Sequence, residues 1–235
     1  MTKLYVCEIS NLIEEIKKDE NAINSYFDKL GKVRIEYILK HNKAEDRART
    51  LGASLLLLFA LQNEGYEMDG LPDFGYDEKG KPILKEIRGH YFNLSHTKNI
   101  ITCVISEKEV GVDVEHMREI KEVTINKVFS KDEQEMAKYS KEGYVRLWTM
   151  KEACAKLRGI GITDILDGIH ITQEDGIYVE KLNQDIKNTF RYIIVTEGMV
   201  YDFYNNPYHY SVCANEKTDI TVVHMKWDKQ QIISR

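Results

Sequence analysis

The sequence predicts an α+β protein built from two halves. Along its 235 residues, a strand and then helices come first, then a group of strands, and then helices and strands again. Helices and strands that occur in separate blocks are typical of α+β folds, whereas strict alternation would indicate an α/β fold. With 43% hydrophobic and 30% charged residues, the chain has the composition of a globular protein with a sizeable core. We expect one domain at residues 1–110 and a second at 111–235.

The first half begins with an apolar strand and contains the longest apolar helix. The segment KLYVCEI at 3–9 predicts the opening strand. The segment AEDRARTLGASLLLLFALQNEG at 44–65 predicts a long helix that ends at Gly65, because glycine readily adopts the left-handed conformation found after helices. Its apolar run is well short of the ~20 residues that span a bilayer, so we expect a buried core helix. The segment at 71–86 is rich in turn residues.

Three strands are predicted in the middle of the chain, near the boundary between the halves. They are YFNLS at 91–95, NIITCVIS at 99–106 and VGVDVE at 110–115. We expect the second and third to form a hairpin, because the connection between them is short and polar.

The third of these strands carries two acidic side chains on one face. Side chains alternate along a strand, so Asp113 and Glu115 point the same way, while Val112 and Val114 face a core. Two like charges this close repel each other unless a positive group lies between them. A divalent cation would relieve that repulsion, and Mg²⁺ usually takes one or two carboxylates together with water and phosphate oxygens.

The second half is predicted to contain helices followed by strands. The helical segments are a short one at 124–130 and longer ones at 131–139 and 142–159. The strand-like segments lie at 168–172, 176–181, 190–197, 199–205, 208–214 and 219–227.

The last of these helices supplies a third carboxylate. Trp148, Glu152 and Lys156 are spaced four residues apart and therefore form one row on the helix. In most helices a Glu–Lys pair at this spacing is only an exposed ion pair. Together with Asp113 and Glu115, however, Glu152 makes a set of three carboxylates that suits a hard cation and phosphoryl chemistry.

Four polar residues elsewhere are candidates for binding phosphate. Ser95 and His96 follow a short strand, where ligand-binding groups often lie, although both residue types also suit an ordinary turn. Arg49 on the long helix and Lys81 in a turn could hold phosphate or serve as solvated surface charges. No GxSxG context surrounds Ser95, so a serine nucleophile is poorly supported.

Charge and cysteine content exclude several classes of protein. A net charge of −5 gives no reason to expect nucleic-acid binding. The N-terminus lacks a signal-peptide pattern, so we expect a cytoplasmic protein without a membrane anchor. The cysteines form no CxxC pair, which argues against a zinc site or a disulfide framework and favours core positions for Cys7, Cys103, Cys154 and Cys213.

Five short motifs, taken in order, resemble the Sfp-type 4'-phosphopantetheinyl transferases. They are GKP at 80–82, FNLSH at 92–96, GVDVE at 111–115, FSKDE at 129–133 and WTMKEACAKLRGIGI at 148–162. The family pattern G-[IV]-D-[IV]-E, followed later by W-[ST]-x-K-E-[AS]-x-x-K, is complete here. The segments EDRARTLG and YHYSVCA also look like the family, so the resemblance extends from about residue 40 to residue 215.

The resemblance implies a fold, a reaction and roles for particular residues. The fold is expected to have two pseudo-symmetric α+β subdomains with the active site in the cleft between them. The reaction would move the phosphopantetheine arm of coenzyme A onto a serine of an apo acyl or peptidyl carrier protein and release 3',5'-ADP. The implied Mg²⁺ ligands are Asp113, Glu115 and Glu152. The implied contacts to coenzyme A phosphates are Arg49, Lys81, Ser95, His96 and Lys156, with Lys156 on the pyrophosphate.

Glu133 has two competing interpretations. It matches a family glutamate that is sometimes proposed as the base for the attacking serine. Ser130 and Glu133 also match the S-x-x-E capping box that begins a helix. The identity of the base therefore stays open at this point, with a site carboxylate acting directly or through water as the other choice.

Other functions fit the sequence less well. A P-loop kinase or nucleotidyl transferase would show GxxxxGK[ST] or GxGxxG, and neither motif is present. A binding protein without catalysis would lack a carboxylate or the lysine, and all of them are present. Fatty-acid, polyketide and nonribosomal-peptide carriers all remain open, as does Mn²⁺ in place of Mg²⁺. We expect a monomer, because the two halves would complete the cleft without a partner.

Overall fold

The computed structural model describes residues 1–140, 142–160, 168–174, 177–182 and 191–233. Within these residues the fold is α+β, as predicted. The chain forms two compact units. The first unit comprises residues 2–107 and 220–235, and the second comprises residues 108–219 together with Met1. Pseudo-symmetry between the halves stays a prediction.

The first unit contains a mixed sheet and the long apolar helix. Its elements are β1 (Thr2–Glu8), α1 (Ser10–Lys18), a 3-10 helix (Glu20–Lys29), α2 (Lys32–Leu39), α3 (Ala44–Asn63), β2 (Gly75–Tyr76), β3 (Pro82–Ile83), β4 (Tyr91–Thr97) and β5 (Ile100–Ser106). Two elements from the end of the chain complete it, β11 (Ile220–Lys226) and α7 (Lys229–Ile233). The order of strands in the larger sheet is β11-β1-β5-β4, and β2 pairs with β3.

The helix α3 lies in the core of this unit. Every residue from 51 to 61 is buried, so the prediction of a core helix is confirmed. A helix that is apolar on all sides has to be covered on all sides, and α1, β4 and β5 provide part of that cover. The helix ends at Asn63, and Gly65 adopts the left-handed conformation with φ 89°. In the described part of the chain, no helix has the length and apolar character needed to cross a membrane.

The final strand returns to the first unit. β11 pairs in parallel with β1 along the length of both strands. The backbone N–H of Trp227 donates a hydrogen bond to the Glu8 carbonyl at 2.8 Å, and the centre of the Trp227 ring lies 6.1 Å from that of Tyr26. Residues 220–235 lie in the first compact unit, whereas the sequence predicted them within the domain at 111–235. A parallel ladder can join strands that are far apart in sequence.

The second unit contains an antiparallel sheet and three described helices. Its elements are β6 (Val110–His116), α4 (Glu122–Val128), α5 (Lys131–Ala137), α6 (Gly143–Arg158), β7 (Ile171–Glu174), β8 (Ile177–Leu182), β9 (Arg191–Tyr201) and β10 (Pro207–Ala214). The order of strands is β6-β10-β9-β8-β7. The helix α6 packs on β6 and β10 and ends at Arg158, and the next residue, Gly159, is left-handed with φ 66°.

Two predictions about strands are wrong. β5 and β6 do not form a hairpin, because β5 pairs with β1 and β4 while β6 pairs with β10 in the other sheet. The strands predicted at 190–197 and 199–205 are one continuous strand, β9. Gly198 lies within that strand, where it pairs with Tyr210 of β10. Gly176 and Phe190, at the starts of two predicted strands, lie outside the described residues.

The core positions of the cysteines are confirmed. Cys7 and Cys103 are buried in the core of the first unit, and Cys154 and Cys213 are buried in the core of the second. None of these four cysteines, all of which lie in the described part of the chain, forms a disulfide bond. The buried thiols therefore act as small apolar side chains in these cores.

The return of the chain to the first unit can be tested at Trp227, which is 5% exposed. Trp227→Ala should lower the free energy of unfolding by about 3–5 kcal/mol, because a large buried aromatic leaves a cavity. Urea unfolding followed by circular dichroism measures the change. The matched control is Tyr139→Ala, because Tyr139 is 81% exposed. Equal stability of the two variants would contradict the burial of Trp227 in this core.

Candidate active site

The two acidic residues of β6 occupy the positions that the strand pattern predicts. Val112 and Val114 are buried, at 0% and 1% exposure. Asp113 is also largely buried at 5% exposure, and Glu115 is partly exposed. Arg118 lies near Glu115, with 3.7 Å between Nη2 and Oε2. The Asp113 carboxylate is thus held inside the unit, while the Glu115 carboxylate reaches its surface.

Gly111 determines how closely α6 approaches this strand. A Cβ at this position would lie 2.1 Å from the Ala153 carbonyl oxygen and 2.5 Å from the Leu157 amide nitrogen. Both atoms belong to the helix backbone, which cannot move aside as a flexible side chain could. The small residues at 153–155 are buried against the sheet. The first glycine of the GVDVE motif therefore allows direct contact between helix and strand.

This contact brings the Lys156 ammonium to the Asp113 carboxylate. Lys156 Nζ lies 2.7 Å from Asp113 Oδ1. The row predicted on α6 is present as well, since Trp148 packs against the core of the unit and Glu152 and Lys156 are partly buried. The two motifs meet in space although 43 residues separate Asp113 from Lys156.

The carboxyl of Glu152 lies within the electrostatic field of the other two acids. Its pKa is raised to about 7, first by burial and then by the negative charge of Asp113. The positive charge of Lys156 opposes the rise in pKa, and Glu115 adds to it. Three carboxylates and one ammonium therefore share this region, and the ammonium compensates the negative charge only in part.

The chemistry of these donors fits a hard divalent cation. Carboxylate oxygens are the ligands that Mg²⁺ and Mn²⁺ prefer, and a cation would lower the cost of ionising Glu152 beside Asp113. Within the described residues, no three His, Cys, Asp or Glu side chains already stand in a metal-holding arrangement. The three carboxylates are suited to a metal by residue type and charge. In this structure the Lys156 ammonium contacts Asp113.

Both carboxylate oxygens of Glu133 accept hydrogen bonds from backbone N–H groups. Its Oε2 accepts a hydrogen bond from the Ser130 N–H at 2.8 Å, which completes the predicted capping box. Its Oε1 accepts from the Ile171 N–H at 2.9 Å. The residue is 1% exposed. A base for a carrier serine must be reachable by that serine, and the catalytic role that the resemblance implies for Glu133 stays a prediction.

Lys151 is the charged partner of Glu133. Lys151 Nζ lies 2.9 Å from Glu133 Oε2 and donates to the Val128 carbonyl at 2.9 Å. Both members of the ion pair are 1% exposed. Because Lys151 precedes Glu152 on α6, this buried pair ties the carboxylate-bearing helix to the start of α5. No sequence pattern predicts a role for Lys151, because the capping box involves only Ser130 and Glu133.

Arg49, Ser95 and His96 belong to neighbouring elements of the first unit. Arg49 Nε donates to the Lys98 carbonyl at 2.8 Å, in the turn that follows β4, and Arg49 Nη1 lies 2.5 Å from Asp46 Oδ1. Ser95 is buried at 6% exposure, and His96 is exposed. Arg49 is thus fixed next to the strand end that carries the other two residues.

Lys81 lies in the tight turn between β2 and β3 of the same unit. Its backbone N–H donates to Asp77 Oδ1 at 2.8 Å, and Gly80 supplies the positive φ of 80° that the turn requires. Its side chain is partly exposed. The sequence therefore placed Lys81 correctly in a turn, and its role toward phosphate stays a prediction.

Comparisons with known proteins confirm the family resemblance. Residues 109–213 match the family model of the 4'-phosphopantetheinyl transferase superfamily. A 4'-phosphopantetheinyl transferase of Bacillus subtilis is 31% identical over 141 residues, which cover 57% of this chain and 62% of the relative. The transferase HetI of Nostoc sp. is 28% identical over 59% of this chain and 61% of the relative. The transferase AcpT of Salmonella typhimurium is 35% identical over 48% of this chain and 59% of the relative.

The extent of these matches is partial. The chain spans about three fifths of the length of the curated relatives it matches. The matched family region contains both β6 and α6, so it includes the three carboxylates and Lys156. The likeness therefore covers the part of the chain in which the structure brings these residues together.

The close contact at Gly111 predicts a loss of stability on substitution. Gly111→Ala should lower the free energy of unfolding by about 1–3 kcal/mol, because the added methyl group overpacks the interface between strand and helix. Gly168→Ala is the matched control, since a Cβ there meets no atom within 4 Å. Urea unfolding compares the two variants, and equal midpoints would contradict the contact.

The buried ion pair predicts a different result at Glu133. Glu133→Gln should cost about 3–5 kcal/mol of unfolding free energy, because it leaves the Lys151 ammonium buried without a counter-charge. Glu133→Gln combined with Lys151→Met should recover part of that loss. Glu135→Gln, at an exposed ion pair with Lys138, serves as the control. A Glu133→Gln variant as stable as this control would argue against the structural role.

Proposed function

We propose that this chain, which matches the 4'-phosphopantetheinyl transferase superfamily over residues 109–213, is a Mg²⁺-dependent transferase of that kind. It moves the phosphopantetheine arm of coenzyme A onto a serine of an apo acyl or peptidyl carrier protein and releases 3',5'-ADP. The observation that supports this most strongly is the meeting of the two motifs. Lys156 lies 2.7 Å from Asp113, and burial followed by the charge of Asp113 raises the pKa of Glu152.

The three carboxylates have the role of holding the cation in this proposal. Asp113, Glu115 and Glu152 would bind Mg²⁺, with Mn²⁺ as the alternative, since both favour oxygen ligands. When bound, the metal supplies positive charge that offsets the charge developing on the leaving phosphate. Lys156 would donate hydrogen bonds to the pyrophosphate oxygens, exchanging its contact with Asp113 for one with the substrate.

The transfer is a displacement at the phosphorus that bears the phosphopantetheine arm. The carrier serine oxygen forms a bond to that phosphorus, and the bond from phosphorus to the oxygen that bridges to the adenylate breaks. The bridging oxygen leaves with 3',5'-ADP. A carboxylate takes the serine proton, directly or through water, and the candidates are a carboxylate of the metal site and Glu133. Positioning and charge stabilisation supply most of the rate enhancement, as is general for phosphoryl transfer.

The first unit supplies the candidate contacts to the remaining phosphates of coenzyme A. Arg49, Ser95 and His96 are suited to this by charge and hydrogen-bonding capacity, and the contact between Arg49 and the Lys98 carbonyl places them on adjoining elements. Lys81 and His96 would contact the 3'-phosphate. In this proposal the acceptor serine belongs to a fatty-acid, polyketide or nonribosomal-peptide carrier protein.

Intact-protein mass spectrometry of apo carrier proteins tests the reaction. Each carrier is incubated with this protein, coenzyme A and Mg²⁺, and a parallel sample contains EDTA. A gain of one phosphopantetheinyl group that EDTA abolishes is the expected result. Detectable coenzyme A binding without any gain on the three carrier types would instead favour a binding protein that lacks catalysis.

The same assay tests the carboxylates. Asp113→Asn and Glu152→Gln should each lower the rate of transfer by more than about 100-fold, because each removes a charge that holds the cation in the transition state. Asp219→Asn is the control, since Asp219 is exposed. Circular dichroism verifies that the variants are folded. Transfer at the wild-type rate by either folded variant would contradict the metal assignment.

A further inference from the structure

We propose that a network of hydrogen-bonded polar side chains positions α6, and with it Glu152 and Lys156, on the sheet of the second unit. We call this network the α6 clamp. Its members are Arg146 and Thr149 on α6, Glu197 on β9, and His209 and Ser211 on β10. The catalytic part of the inference rests on the proposed function. The contacts of the clamp lie within one compact unit.

The outer end of the clamp joins Arg146 to Glu197. Arg146 Nε donates to Glu197 Oε2 at 3.1 Å, and Arg146 Nη2 donates to Glu197 Oε1, so the pair is bidentate. Arg146 Nη2 also lies 3.3 Å from the Tyr178 hydroxyl. A bidentate guanidinium–carboxylate pair fixes the direction of approach as well as the distance. The first turn of α6 is therefore attached to β9 in one orientation.

The inner end of the clamp passes through His209 to the middle of α6. His209 Nε2 lies 2.5 Å from Glu197 Oε2, and His209 Nδ1 lies 2.6 Å from Thr149 Oγ1. The Ser211 hydroxyl donates to Thr149 Oγ1 at 3.2 Å. Thr149 and Ser211 are 0% exposed and His209 is 2% exposed. The Thr149 hydroxyl also donates to the Arg146 carbonyl of its own helix at 2.8 Å. A shift of α6 would separate Thr149 from His209 and Ser211, and these buried groups would lose a hydrogen-bond partner.

The ionised state of Glu197 supports its role as the hydrogen-bond acceptor for Arg146 and His209. Burial alone would raise the pKa of Glu197, but hydrogen bonds from His209 and Arg146, together with their charges, lower it to about 2. The carboxylate is therefore ionised at neutral pH and accepts both hydrogen bonds. Ionised acceptors make shorter and stronger hydrogen bonds than neutral ones.

The clamp adjoins the carboxylate site on the sheet side. In the β6–β10 ladder, Ser211 is opposite Asp113 and His209 is opposite Glu115. Residues directly opposite each other in an antiparallel pair project from the same face. The two sheet residues that hold Thr149 are thus the cross-strand neighbours of the two acids of β6.

The clamp also adjoins the site on the helix side. Thr149 precedes Glu152 by three residues and Lys156 by seven, so all three lie on one side of α6. The apolar contacts of α6 with the sheet are not directional, and they alone would permit small rotations about the helix axis. Hydrogen bonds at Thr149 remove that freedom one turn before Glu152.

A nucleophilic role for Thr149 is a weaker alternative. Thr149, His209 and Glu197 follow the order hydroxyl, imidazole, carboxylate that is known from catalytic triads. A nucleophile has to reach its substrate, however, and Thr149 is 0% exposed. The role that fits this burial is positioning.

Substitutions of Thr149 separate positioning from simple stabilisation. Thr149→Val keeps the shape and removes the hydroxyl, whereas Thr149→Ser keeps the hydroxyl. Loss of a group that hydrogen-bonds a metal ligand typically weakens metal binding or activity by about 10- to 100-fold, and we expect a group that positions the helix one turn away to act at the lower end of that range. Thr149→Val should therefore weaken Mn²⁺ binding to the purified chain by about 10-fold, and Thr149→Ser should restore it. Electron paramagnetic resonance of free Mn²⁺ measures the affinity without any turnover.

Glu197→Gln provides a second variant if Thr149→Val does not fold. The Glu197 side chain is 20% exposed, so its substitution disturbs the core less. We expect the same loss of Mn²⁺ affinity, a fall of about 10-fold in kcat and an unchanged KM for the carrier protein. The matched controls are Thr196→Val on the same strand and Glu216→Gln, because both residues are exposed.

The outcomes distinguish the inference from the proposed function. Wild-type Mn²⁺ affinity and kcat in the folded variants, with only a lower Tm, would overturn positioning and leave a stabilising role. Absence of saturable Mn²⁺ binding to the wild-type chain would overturn the inference and the metal assignment together. Saturable Mn²⁺ binding without transfer to any carrier would overturn the proposed function, while the Mn²⁺ titrations would still decide the inference.

Discussion

The contact between α6 and β6 is the constraint on which the site depends. Lys156 reaches Asp113, and Glu152 comes within the influence of its charge, because the helix backbone touches the strand at Gly111, where a Cβ would lie 2.1 Å from the Ala153 carbonyl oxygen. One glycine therefore determines the distance between two motifs that are remote in sequence. Charged groups brought together in this way are costly to bury, and Lys156 compensates the negative charge of the three carboxylates only in part.

Buried polar groups around α6 add direction to this contact. The Glu133–Lys151 pair attaches the helix to the start of α5, and the hydrogen bonds of Thr149 and Arg146 attach it to β10 and β9. Apolar packing sets how closely the helix lies on the sheet, whereas these polar contacts set its rotation and its position along the strands. Compared with apolar residues of the same shape, such polar groups add little to the free energy of unfolding. A misplaced helix would, however, leave them buried without hydrogen-bond partners, which costs free energy.

The sequence predicted the parts whose signals are local. Alternation along GVDVE predicted a shared face for Asp113 and Glu115, and the S-x-x-E pattern predicted the capping box at Glu133. The sequence could not predict which strands pair, because ladders between β1 and β11 or between β6 and β10 depend on residues about 100 or more positions apart. The Thr149–His209 contact was missed for the same reason, since no local pattern distinguishes these residues from other polar side chains in strands and helices.

The parallel ladder between β1 and β11 also makes the second unit an insertion within the first. Both crossings of the chain, at residues 107–108 and 219–220, lie between the two strands that this ladder joins. During synthesis, β1 leaves the ribosome before any residue of the second unit, and β11 leaves after all of residues 108–219. The β1 edge of the sheet in the first unit therefore stays unpaired until the second unit has been synthesised. The half that carries the carboxylates can consequently fold first.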